Sequence, residues 1–170
     1  MNVLRYFLKD DRLFLYAAVS AVLSLVMAVL LQAHWNILLY SRLFLLVLLI
    51  LLLLRLADDY FDYEKDRERK EQPLHKRQLL LAMLVTMLLF VLLNLCFYRL
   101  SGLGSLCILA YLLLQQKAEI LKVFFMPLAS AYYFYVEQTS GMSVFAVSGY
   151  LVLCVGAAVL FSLFKRRRSG

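Results

Sequence analysis

The stretch ILLYSRLFLLVLLILLLLRLADDYFDYEKD, residues 37–66, decides the fold. From Leu43 to Leu54 it holds only leucine, isoleucine, valine and phenylalanine. A helix over about 37–58 rises ~1.5 Å per residue and so spans roughly 30 Å, the thickness of a bilayer's hydrocarbon core. The run then ends on Arg55-Leu-Ala-Asp-Asp-Tyr-Phe-Asp-Tyr-Glu-Lys-Asp66. On a helix, Asp59, Asp62 and Asp66 stand at i, i+3 and i+7 and share one face, with Asp58 beside them and Arg55 one turn earlier. Crowded carboxylates repel one another, and a divalent cation relieves the repulsion. Hard oxygen donors suit Mg²⁺, which typically takes one or two carboxylates, several waters and substrate phosphates. A solvated rim whose acids pair with Lys65, Arg67 and Arg69 fits the same spacing.

Working outward, the composition agrees with a membrane-embedded chain. Of 170 residues 64% are hydrophobic, the mean hydropathy is +0.81, and a soluble domain is excluded. Apolar runs at about 13–33, 37–58, 79–98, 103–116, 120–136 and 142–164 predict an all-α, polytopic transmembrane bundle of about six helices in one domain, 1–170. The run at 103–116 is short, and that at 120–136 contains Pro127 and the group Tyr132-Tyr-Phe-Tyr135. These two are read either as tilted crossings or as a re-entrant pair. The first run follows a basic start, as a signal peptide would, but no small-x-small cleavage site precedes the next apolar segment, so it is read as a helix. Pro73 marks a turn in the polar connector that follows the second run.

The net charge of +7 suggests nucleic acid only until its placement is considered. The cations cluster at the ends of apolar runs, where anionic lipid headgroups lie, and no separate basic stripe carries interleaved aromatics. Nucleic acid is therefore excluded as a partner, and membrane lipids are expected. With six crossings, Arg5, Lys9 and Arg12, the connector cations from Lys65 to Arg77, Lys117 and Lys122, and Lys165 to Arg168 fall on one side. The other side keeps Arg99 and, near a helix end, Arg42. The positive-inside rule then predicts a cell-membrane protein with both termini and the acidic cluster in the cytoplasm. Charge inside the apolar runs is almost absent, which disfavours an ion or proton path. Cys96, Cys107 and Cys154 are scattered within apolar runs, and His34 and His75 lack a partner motif, so neither a disulfide framework nor a zinc site is expected.

The cluster, spelled Asp58-Asp59-x-x-Asp62-x-x-x-Asp66, resembles the first aspartate-rich motif, N/D-D-x-x-D-x-x-x-D, of the UbiA superfamily of intramembrane prenyltransferases. In that family it lies at the end of the second transmembrane helix, as it does here. Glu71-Gln-Pro-Leu74 is similar to the family's N-R-P-L stretch, and Tyr111 to Pro127, with Lys117 and Lys122, to its tyrosine-then-lysine connection. The resemblance covers roughly residues 10–135 and implies the N-terminal part of a UbiA-type bundle. It implies Mg²⁺ held by Asp59, Asp62 and Asp66, and an isoprenoid diphosphate contacted by Asp58, Arg55, Arg67, Arg69 and Lys70. Tyr60, Tyr63 or Tyr132 would face an allylic cation, or else pack and line the interface.

The chain departs from the family in length and in lacking a second aspartate-rich motif, because Glu119 and Glu137 are the sole acids beyond Glu71. A second copy of the chain, another subunit completing the site, or a loss of catalysis would each account for this. Whether the chain is an enzyme is thus left open. The rival expectation is a non-catalytic membrane partner subunit or scaffold that uses the charged loop for interaction. A CDP-alcohol phosphotransferase is excluded, since no Asp-Gly or Ala-Arg pair occurs.

Overall fold

The computed structural model describes residues 12–31, 36–64, 75–116, 119–137 and 144–169. Every regular element among them is helical. In chain order these are α1 (Arg12–Leu30), α2 (Ile37–Phe61), α3 (Lys76–Tyr98), a 3₁₀ turn (Arg99–Gly104), α4 (Ser105–Leu114), α5 (Glu119–Lys122), α6 (Phe125–Val136) and α7 (Val144–Ser169). Three stretches are long and apolar enough to cross a membrane: Leu13–Leu30, Ile37–Phe61 and Lys76–Leu114. The apolar part of α7, Val144–Val159, is shorter. Large apolar side chains also cover outward faces, with Phe14 77%, Val22 61%, Leu81 64% and Leu88 61% exposed. Contiguous exposure of that kind is unfavourable in water and is the pattern of helices surrounded by lipid.

The contacts divide the chain into two compact units, Met1–Val26 with Ile37–Leu103, and Met27–Asn36 with Gly104–Gly170. The first is organised by α2 and α3, its most extensively packed pair. Along α2 the buried positions Leu39, Leu43, Leu46, Ile50, Leu53 and Ala57 recur at alternating steps of four and three, a continuous helical stripe. Leu79, Met83, Phe90 and Asn94 are the buried positions of α3. Asn94 offsets the cost of burial locally, its Nδ2 donating to the Phe90 carbonyl at 2.8 Å.

α3 begins three residues earlier than its apolar run, because a polar first turn is compatible with a helix. The His75 carbonyl accepts from the N–H groups of Gln78 (2.8 Å) and Leu79 (3.1 Å), and the His75 N–H donates to Gln78 Oε1 at 3.2 Å. The helix ends at Arg99, whose φ of 52° is positive, a conformation a non-glycine residue adopts at a cost. The following turn packs so closely on α3 that a Cβ at Gly102 would stand well inside contact distance of the Asn94 carbonyl oxygen. Glycine is required there.

The second unit is built around α6, which packs on α4 and α7. Phe125, Ala129, Ser130, Tyr133 and Phe134 are its buried positions. Phe125 stacks with Tyr111 at 6.2 Å, and Phe134 meets Tyr150 edge-on at 5.6 Å. The expected helix over 120–136 is two pieces, α5 and α6, with Pro127 in the first turn of the second. A missing N–H is tolerated at that position because no intrahelical acceptor is lost.

Candidate functional site

The end of α2 brings acids to a place where regular structure opposes them. A helix C-terminus carries partial negative charge, so carboxylates there lose up to about 1 kcal/mol each relative to a neutral residue. Asp58, Asp59 and Asp62 all lie in this region. Asp59 extends the buried row Leu49, Leu53, Leu56 and is itself only 5% exposed. Its Oδ1 sits 2.7 Å from Arg55 Nη2, one turn earlier on the same helix. Among the described residues Arg55 Nε is buried without a hydrogen-bond partner, and the guanidinium meets the carboxylate through Nη2. Asp58 and Asp62 are half-buried, and the Asp62 N–H donates to the Asp58 carbonyl at 2.9 Å. The backbone bends at Asp62 before a short helical continuation at Tyr63 and Glu64, so the regular helix ends between Asp59 and Asp62.

The start of α3 completes the described site. Lys76 Nζ lies 3.2 Å from Glu64 Oε1, and sits 5.8 Å and 5.6 Å from the ring centroids of Tyr60 and Tyr63. Tyr60 also meets Phe61 edge-on at 5.4 Å. The two tyrosines expected to face an allylic cation thus hold a protein cation between them, while Tyr132 packs against Tyr133 at 5.0 Å.

Of the residues singled out from sequence, Arg55, Asp58, Asp59 and Asp62 gather at the end of α2. Asp66, Arg67, Arg69 and Lys70 lie outside the described residues. Among the described residues no group of three or more His, Cys, Asp or Glu could hold a metal ion. Cys96 and Cys107 are exposed and Cys154 half-buried, all as free thiols.

Two features escaped the sequence reading. Lys76 was one cation among several in a basic connector. Its position immediately after the Pro73 turn was the available signal, since a short connector returns the chain to the end of α2. Gln115 looked like part of a polar link, yet it is 1% exposed and its Oε1 has no hydrogen-bond partner among the described residues, where Gln116 Nε2 is also buried and unpartnered. No family model matches this chain, and neither a curated protein nor a solved structure does so.

Proposed function

We propose that the chain is a UbiA-like integral membrane protein that binds Mg²⁺ and an isoprenoid diphosphate at the cytoplasmic end of α2, with transfer of the prenyl group as its activity. The observation that carries this reading is the gathering of Asp58, Asp59 and Asp62 at the negative end of a long apolar helix, where they oppose helix stability. The donor set fits the metal. Mg²⁺ takes one or two carboxylates and completes its shell with water and phosphate. Asp58 and Asp62, one turn apart and half-buried, would supply that number. Asp66 would add a further carboxylate.

In this reading Asp58 and Asp62 hold the ion, and Arg55 fixes Asp59 so that the last turn of α2 keeps its position. Arg67, Arg69 and Lys70 contact phosphate oxygens. When bound, the ion neutralises the diphosphate and so favours its departure. The exposed apolar faces of the helices suit a prenyl tail. The chain sits in the cell membrane with both termini cytoplasmic, a topology supported by the one-sided placement of Lys and Arg.

The test is equilibrium binding of farnesyl diphosphate and Mg²⁺ to the purified chain in detergent, with and without EDTA. Asp58→Asn and Asp62→Asn should each weaken binding tenfold or more. Binding indifferent to EDTA and to both substitutions removes this reading. The second reading, a non-catalytic partner subunit or scaffold, is favoured by the ion pairs that neutralise Asp59 and Glu64 within the chain. It predicts no diphosphate binding at all.

A further inference from the structure

We draw no further inference here: the strongest candidate, the outward face of α7 on which Phe145, Gly149, Val152 and Gly156 are exposed, is an unpartnered apolar face, and nothing in the structure shows what covers it.

Discussion

Arg55 Nη2 and Asp59 Oδ1 lie 2.7 Å apart, joining successive turns at the end of α2. The carboxylate is 7% exposed and the guanidinium side chain 30%, so the pair is more than a surface contact. Removing the arginine takes a partner at 2.7 Å from a buried carboxylate. Arg55→Met is expected to destabilise the protein by about 2–3 kcal/mol, read as thermal unfolding in detergent. The double variant Arg55→Met/Asp59→Leu should recover most of that loss, because the two effects are coupled. A double variant as unstable as the single one would show that the pair is not what holds the turn.

Gly102→Ala should cost about 3 kcal/mol, the upper end for inserting an atom into a packed site. The obstacle is the Asn94 backbone carbonyl, which cannot rotate away as a side chain can. Gly104→Ala makes the useful contrast. Its Cβ would meet the Tyr132 ring at 2.6 Å, and a side chain can shift where backbone cannot. The expected order of melting temperatures is wild type, then Gly104→Ala, then Gly102→Ala.

Gln115→Leu should raise stability by about 1–2 kcal/mol, since an apolar side chain of similar size removes a buried acceptor that has no donor among the described residues. Thermal unfolding checks the sign. A loss of stability instead would reveal a partner for Oε1.

Tyr111→Phe should lower stability by about 1 kcal/mol. The Tyr111 hydroxyl donates to the Leu121 carbonyl at 2.9 Å, bridging the end of α4 to α5, while its ring keeps the stacking on Phe125. Faster backbone hydrogen exchange around Leu121 should accompany the change.

The legible parts of the chain were those governed by length and hydropathy. The leucine run of α2 needs no periodicity to be read as a span, because ~30 Å of apolar helix has few other uses. The Arg55–Asp59 pair was also visible, as i and i+4 positions on one helix. Boundaries were less legible, because charge does not end a helix. α3 starts at Lys76 and not at Leu79, and α7 continues to Ser169, past the Lys165 to Arg168 cations. What the sequence could not show was any contact set by how α2 meets α3. Lys76 finds Tyr60, Tyr63 and Glu64 from a different helix, and no spacing rule spans that distance. The burial of Gln115 is likewise a tertiary outcome that its polar neighbours conceal.

The distorted residue Arg99 bears on how the chain is threaded. Residues Lys76–Leu114 form a 39-residue helical stretch, which as one unbroken rod would measure about 58 Å, nearly twice the hydrocarbon layer. The interruption at Arg99–Gly104 divides that length at 23 residues, so the first portion alone matches one bilayer. A six-residue corner, and not a fall in hydropathy, is therefore what limits this stretch to a single bilayer's length of regular α-helix.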